Sequence, residues 1–131
     1  MIFVDSNIPM YLVGSEHPNK GAARRMLERA IADGEVLVTD AEVLQEILHR
    51  YAAIARPDAI EPASRALLDV VDEVFPVERA DVERARPLVT TAGMGARDAI
   101  HVSIMRRRGV DRILTFDVGF DGVEGIERIR E

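Results

Sequence analysis

Four acidic residues, distant from one another in the sequence, stand where an α/β fold would bring them together: Asp5, Glu46, Asp98 and Asp117. Asp5 and Asp117 each follow a short apolar run typical of a buried strand, and open parallel sheets bind ligands outside the carboxyl ends of their strands. Four carboxylates at one place repel one another, and several would take up protons unless a cation were bound. The residues therefore predict an oxygen-donor site for a divalent metal ion.

The first of these acids, Asp5, is followed directly by Ser6 and Asn7. Residues of these types also cap helices and form turns, which is the structural interpretation of the segment. Three polar residues at the end of a buried strand favour the functional interpretation, because Ser6 and Asn7 can orient the carboxylate of Asp5.

Two glutamates, Glu42 and Glu46, lie one turn apart on the same face of a predicted helix, so either could reach the site. Thr39 and Glu42 have the spacing of a capping box, which gives Glu42 a structural role. Glu46 lies among apolar residues without such a role, and a partly buried carboxylate needs a partner. We predict Glu46 as the ligand and keep Glu42 as a secondary candidate.

The remaining acids lie at a helix start and at a strand end. Asp98 begins a helix whose first turn is apolar, so a functional role is favoured over capping. Asp117 and Asp121 compete for one ligand position, and Asp117 ranks first because it is nearer the strand end. Thr115 is predicted to donate a hydrogen bond within the site.

Hydrophobic periodicity predicts the elements that position these residues, in a single domain over residues 1–131. We expect strands at 2–4, 36–38, 74–77, 112–116 and 126–129, a short helix ending near 13, a loop over 14–19, and helices near 20–33, 39–56, 60–71, 81–90 and 99–108. Pro76 places the third strand toward an edge. The alternation indicates a three-layer α/β domain with a central, mainly parallel sheet flanked by helices.

The composition excludes several classes of function. A net charge of −6 argues against a broad basic surface for nucleic acid, although metal ions and a few arginines could still hold a phosphodiester locally. Aromatic residues make up 5% and Trp is absent, so no stacking platform for single strands is expected. The absence of Cys excludes disulfides and thiolate chemistry. Without a signal-peptide pattern or an apolar membrane span, we expect a cytoplasmic protein.

The three histidines, His17, His49 and His101, are interpreted as structural. Glu46-x-x-His49 and Asp98-x-x-His101 have the spacing found in di-iron helical bundles. Such bundles require four long helices, and the predicted strands are incompatible with them.

Taken together, the motifs resemble those of PIN-domain proteins and, more narrowly, of the VapC-type toxins of bacterial toxin–antitoxin pairs. The resemblance rests on the segments Phe3–Asn7, Leu44–Leu48, Ala96–His101, Thr115–Asp117 and Phe120–Asp121. It implies a Rossmann-like parallel sheet, a homodimer, an antitoxin that covers the site, and an endoribonuclease dependent on Mg²⁺ or Mn²⁺. The catalytic and metal-binding acids it implies are Asp5, Glu46, Asp98 and Asp117, with Asp121 left open.

The chemistry fits this implication, because Mg²⁺ and Mn²⁺ prefer carboxylate oxygens and retain several waters. One ion would activate a bound water for in-line attack, and the same ion or a second would stabilise the transition state and the leaving oxygen. No His or Lys general base is required. Bound ions also make the local field positive, so that an acidic protein could hold RNA.

Three alternatives stay open. A receiver-like domain phosphorylated on Asp would carry adjacent acids after the first strand and a Lys after the last, whereas here Ser6 follows Asp5 and Lys20 is the only Lys. A catalytically silent PIN fold used as a binding or scaffold module is disfavoured because all four acids are present. A DNA nuclease also stays open, since no residue pattern reads a 2′-hydroxyl and the RNA preference comes from the resemblance alone.

Overall fold

The computed structural model describes residues 1–131 and consists of five strands and six α-helices. The strands are β1 (Ile2–Val4), β2 (Leu37–Asp40), β3 (Glu73–Phe75), β4 (Arg112–Leu114) and β5 (Glu127–Ile129). The helices are α1 (Asn7–Val13), α2 (Pro18–Ala32), α3 (Ala41–Ala53), α4 (Ile60–Leu68), α5 (Arg79–Thr90) and α6 (Ala96–Arg108). Two short 3₁₀ turns, Pro57–Ala59 and Val118–Phe120, complete the chain.

All five strands are parallel and lie in the order β3-β2-β1-β4-β5. The chain builds the sheet from β1 outward to β3 and then returns to the other side of β1, so the direction of winding reverses between β1 and β4. Such a reversal opens a crevice at the carboxyl ends of the two strands. The predicted fold class and the edge position of β3 are confirmed.

A largely hydrophobic core holds the sheet between its helices. Its central strand is completely enclosed, with Phe3 and Val4 fully buried. Helix α6, which carries Asp98, packs one face into the core, and Ala99 and Val102 on that face have no exposed surface. A continuous apolar strand and a buried helix face therefore fix the backbone from which the acids project. None of the helices is long and apolar enough to span a membrane.

The junction between β2 and α3 differs from the prediction. Strand β2 continues to Asp40, because Thr39 and Asp40 pair in register with Val74 and Phe75 of β3. The Thr39 hydroxyl donates to the carbonyl of Val4 at 2.9 Å, and Asp40 caps α3 by accepting from the amide of Val43 at 2.9 Å. The predicted capping box of Thr39 and Glu42 is therefore wrong.

Helices α2 and α6 also begin earlier than predicted. Helix α2 starts at Pro18, because Pro suits the first turn of a helix and the side chain of His17 caps it by accepting from the amide of Asn19. Helix α6 starts at Ala96, which places Asp98 inside the first turn rather than before it. Gly109 ends α6 in a left-handed conformation with φ of 70°, as a terminating glycine does.

Candidate active site

All four predicted acids, Asp5, Glu46, Asp98 and Asp117, line one open cleft of about 540 Å³. Asp5 follows β1 and Asp117 lies just beyond β4, at the point where the winding of the sheet reverses. Glu46 comes from the second turn of α3 and Asp98 from the first turn of α6. Residues up to 112 positions apart in the sequence thus share one cavity because the parallel strands end there.

Asp5 is held at both carboxylate oxygens. The amide of Ser6 donates to Oδ1 at 2.7 Å, and the hydroxyl of Thr115 donates to Oδ2 at 2.7 Å. The same Thr115 oxygen accepts from Nδ2 of Asn7 at 2.9 Å and from the amide of Asp117 at 3.1 Å. Thr115 therefore ties together the segments that follow β1 and β4.

Glu46 is held at one oxygen only. The hydroxyl of Ser6 donates to its Oε2 at 2.8 Å. The other oxygen, Oε1, is buried and has no hydrogen-bond partner. Glu42 is not brought into the cleft and instead lies 3.6 Å from the guanidinium of Arg97.

Asp98 and Asp117 form the outer part of the acidic group. Burial, reinforced by repulsion from Asp5 and Asp117, raises the pKa of Asp98 to about 7. Asp117 accepts from the amide of Gly119 at 2.8 Å, so it also fixes the short turn that follows it. Without a cation, Asp98 therefore keeps its proton in weakly acidic solution, where an isolated carboxylate has already lost it.

Asp121, the competitor of Asp117, does not line the cleft. Its oxygens accept from Arg128 at 2.7 and 3.0 Å, and Arg130 lies 3.1 Å away. The hydrogen bond from Arg128 lowers the pKa of Asp121. Its carboxylate is thus paired with Arg128 of β5 and with Arg130 just beyond that strand.

Two residues that were not predicted, His101 and Asp40, lie beneath the acids. The His101 ring is fully buried, and its Nδ1 lies 2.7 Å from Oδ2 of Asp40. Its Nε2 has no hydrogen-bond partner and lies 3.7 Å from Oε1 of Glu46 and 4.0 Å from Oδ1 of Asp5. One signal was available in the sequence, since an ionisable residue on the apolar face of a helix needs a partner. Asp40 gave no such signal because its role depends on where β2 ends.

The electrostatics couple these buried groups. Burial raises the pKa of Asp5, and the charge of His101 only partly offsets it. Burial alone would also raise the pKa of Glu46, but attraction to His101 and the hydrogen bond from Ser6 outweigh it and lower that pKa. Burial alone would lower the pKa of His101, yet the surrounding Asp40, Glu46 and Asp5 raise it well above its usual value.

The donor atoms fit a divalent metal ion. Asp5, Glu46 and His101 each bring one ligand atom to within 4.8 Å of the others. Donors about 2.1 Å from an octahedral ion are roughly 3 to 4.2 Å apart, a range close to that spread. Oε1 of Glu46 and Nε2 of His101 are two of the three buried side-chain atoms in the protein that no protein group satisfies, and the third, Nε of Arg108, belongs to a residue that does not line the cleft. A cation here would satisfy Oε1 of Glu46 directly, and Nε2 of His101 once that ring has lost its proton.

Comparison with known proteins gives close relatives over the whole length. The family model of the PIN domain matches residues 2–126. A VapC ribonuclease of Mycobacterium bovis is 57% identical over 130 residues, which cover 98% of this chain and 99% of that protein. Ribonuclease VapC13 of Mycobacterium tuberculosis has the same identity and coverage. Ribonuclease VapC23 of that species is 45% identical over 118 residues, 89% of this chain and 93% of the relative.

Solved structures share the fold. Mycobacterium tuberculosis VapC20, a toxin that cleaves the sarcin-ricin loop, is similar with a TM-score of 0.77 and 25% identity, covering 97% of this chain and 98% of that one. A chain of VapBC2 from Rickettsia felis, solved with promoter DNA, has a TM-score of 0.74 and covers 98% of both chains. The sequence identity to the VapBC2 chain is 14%, so this similarity supports the fold alone.

Proposed function

This chain belongs to the PIN-domain family and, within it, to the VapC ribonucleases. From this premise we propose that it is an endoribonuclease that hydrolyses RNA phosphodiester bonds with a divalent metal ion. We propose further that it acts as the toxin of a toxin–antitoxin pair. The family predicted from the motifs is confirmed. One observation carries the proposed mechanism: four carboxylates from four separate elements line one cleft where the winding of the sheet reverses.

We propose Asp5, Glu46, Asp98 and Asp117 as the residues that hold the ion, with Mg²⁺ or Mn²⁺ as the metal. Oxygen donors of this kind suit both ions. When bound, the ion would activate a water for attack on the phosphate and stabilise the charge that develops there.

The protein's own groups prepare the carboxylates. Ser6 connects Asp5 to Glu46, since its amide donates to one and its hydroxyl to the other. Thr115, with Asn7, fixes Asp5 relative to Asp117. Asp98 must lose the proton that its raised pKa retains, because metal binding requires the ionised form. Ion binding and carboxylate ionisation are therefore coupled in this cleft.

The partners follow from the same proposal. Structures that share the fold include toxin–antitoxin complexes, among them one from Klebsiella pneumoniae. We propose that this chain is a single nuclease domain, forms a homodimer in the cytoplasm, and is inhibited by an antitoxin that covers the acidic cleft.

The test is cleavage of a mixed, structured RNA pool by purified protein in Mg²⁺, Mn²⁺ or EDTA. We expect cutting with either metal, none in EDTA, and at least about a 100-fold loss in Asp5→Asn and Asp98→Asn, because each variant removes a charge from the metal site. Asp121→Asn and Glu42→Gln are matched controls, since they neutralise acids outside the cleft. We expect these two to cut within about threefold of the wild-type rate.

The outcomes separate the alternatives. Equal cutting by wild type and Asp98→Asn would show that the assigned site is wrong or that a contaminant is active. Metal binding without cutting would point to a narrow RNA target missing from the pool. Absence of both metal binding and cutting would favour the silent scaffold.

A further inference from the structure

The aromatic residues of this chain are distributed unevenly between core and surface. The sequence contains four Phe and two Tyr and no Trp. Four of the six are buried in the core: Phe3, Phe75, Phe120 and Tyr51. The other two, Tyr11 and Phe116, are only partly buried, and both line the acidic cleft. The composition predicted no stacking platform, yet the fold gathers at the candidate active site every aromatic ring that the core does not enclose.

Three rings form a continuous group, which we call the ring cluster: Tyr11, His17 and Phe116. The Tyr11 and Phe116 rings meet edge to face at 5.2 Å, and the Tyr11 and His17 rings lie 4.9 Å apart, tilted by 32°. The His17 ring is exposed and is held by the amide of Asn19, which donates to its Nδ1 at 3.0 Å. The rings thus present fixed aromatic surface to the cleft.

The ring cluster is attached to the acids by short connections. Phe116 directly precedes Asp117, and its amide donates to Oδ1 of Asn7 at 3.3 Å. Asn7, whose side chain also contacts Thr115, lies one helical turn before Tyr11 on α1. The position of the rings relative to the carboxylates is therefore fixed through Asn7 and Thr115, and Thr115 is also the residue that donates to Asp5.

A free positive charge lies on the same cleft. Arg50 is exposed, forms no ion pair, and is the only Arg or Lys among the lining residues. It follows Glu46 by one turn of α3. Aromatic rings beside an unpaired guanidinium are the elements with which proteins hold single-stranded nucleic acid.

We propose that the ring cluster stacks against an unpaired base of the RNA next to the scissile phosphate, and that Arg50 contacts the RNA backbone. This inference rests on the proposed ribonuclease function and adds to it a base-binding subsite, formed by the ring cluster beside the carboxylates. Bases in RNA loops and ends can leave their own stack for an aromatic side chain, whereas those in a duplex cannot.

The first test measures binding of a labelled 12-nucleotide oligoadenylate RNA by fluorescence anisotropy, in an Asp98→Asn background so that the RNA stays intact. Tyr11→Leu and Phe116→Leu should each weaken binding by about 5- to 100-fold, because a base–aromatic stack is lost. Tyr11→Phe retains the ring and should bind within about twofold. Val118→Ala, an exposed apolar residue outside the cleft, is the matched control and should also bind within about twofold.

Arg50→Gln tests the backbone contact. We expect weaker RNA binding. We also expect the slope of log affinity against log salt concentration to decrease in magnitude by about one, because one contact with an RNA phosphate is lost. An unchanged salt dependence would overturn the role of Arg50.

A second variant keeps the ring and reports on stacking directly. Tyr11→Trp introduces the only Trp of the chain, so its fluorescence has no background. We expect quenching by oligoadenylate RNA and much less quenching when the same strand is paired in a duplex. RNA binding without quenching, or leucine variants that bind like wild type, would overturn the inference while leaving the ribonuclease function intact.

Two further outcomes are decisive. Quenching by the antitoxin but not by RNA would also overturn it and assign the rings to a protein interface. A wild-type protein that neither binds nor cuts RNA in any metal would overturn the proposed function and this inference together.

Discussion

At the scale of single residues, the carboxylate of Asp5 is prepared before any ion binds. Ser6 donates to one of its oxygens and Thr115 to the other, which leaves lone pairs on both oxygens for a cation. Both donors lie just beyond the ends of β1 and β4, so the orientation of Asp5 depends on the sheet. Ligands locked in this way hold a metal site to a narrow geometry.

His101 is the residue whose role the structure changes most. Its Nδ1 is bound to Asp40, and its Nε2 is directed between Glu46 and Asp5 without a hydrogen bond. A carboxylate that orients a histidine toward a metal ligand set is a common arrangement around protein-bound ions. We therefore expect His101 to contribute to metal affinity.

The prediction compares two substitutions of His101. Asn reproduces the bond from Nδ1 to Asp40 but lacks the atom that faces the acids, so His101→Asn should weaken Mn²⁺ binding by about 10- to 100-fold. His101→Gln retains a polar atom on that side and should weaken it less. Calorimetric titration with Mn²⁺ measures both, with the exposed His49→Asn as control. Tighter binding in His101→Asn would show instead that His101 acts as a positive charge that opposes the ion.

At the scale of elements, helix α6 carries Asp98 and is fixed to α5 by a buried ion pair. Asp81 on α5 is fully buried and accepts from Arg107 of α6 at 2.6 and 2.8 Å. The amide of Glu78 donates to the same carboxylate at 2.9 Å, so Asp81 also closes the first turn of α5. The carboxylate of Asp81 thus both caps α5 and holds α5 against α6.

Arg107→Met should lower the free energy of unfolding by about 2–4 kcal/mol, because it leaves the Asp81 charge buried without its partner. Urea denaturation monitored by circular dichroism measures the loss. Arg79→Met breaks an exposed pair with Glu83 and should cost no more than about 0.5 kcal/mol. The double variant Asp81→Asn/Arg107→Met should recover part of the loss, and a double variant less stable than Arg107→Met would contradict the buried-charge explanation.

At the scale of the whole molecule, the acids of the cleft oppose folding when no cation is present. The folded protein keeps a proton on Asp98 up to a pH of about 7, whereas an unfolded carboxylate loses it near pH ~4. Between these values only the unfolded state gains the favourable ionisation, so stability falls as pH rises through this window. The raised pKa values of Asp5 and His101 act in the same direction.

In EDTA, the thermal midpoint should therefore be higher at pH 5 than at pH 8. The contribution of Asp98 is on the order of 1–2 kcal/mol, since solvent at this half-buried position screens the repulsion. Asp98→Asn should flatten the pH dependence, whereas Asp121→Asn, outside the cleft, should not. Mg²⁺ added at pH 8 should stabilise the wild type. A midpoint that rises from pH 5 to pH 8 in EDTA would contradict this account.

The local pattern of the sequence was sufficient for the architecture. Short apolar runs and amphipathic stretches are properties of neighbouring residues, so they predicted the parallel α/β class, the exact bounds of β1 and the edge position of β3. Asp5, Asp98 and Asp117 were predicted from their positions at strand ends and a helix start, and Glu46 from its apolar neighbours on a helix. The structure places all four on one cleft. Their roles in binding and catalysis stay predictions.

Other features were decided only by contacts between distant residues. The end of β2 depends on its pairing with β3, which extends the strand to Asp40. Asp40 was predicted inside a helix, but it caps α3 and also contacts His101, 61 positions away in the sequence. Asp121 does not join Asp117 in the cleft because it pairs with two arginines, Arg128 and Arg130, that lie in and just after β5. The ring cluster likewise joins α1 to the loop after β4. Periodicity reports which face of an element is buried, but only the packed fold determines which side chain lies opposite it.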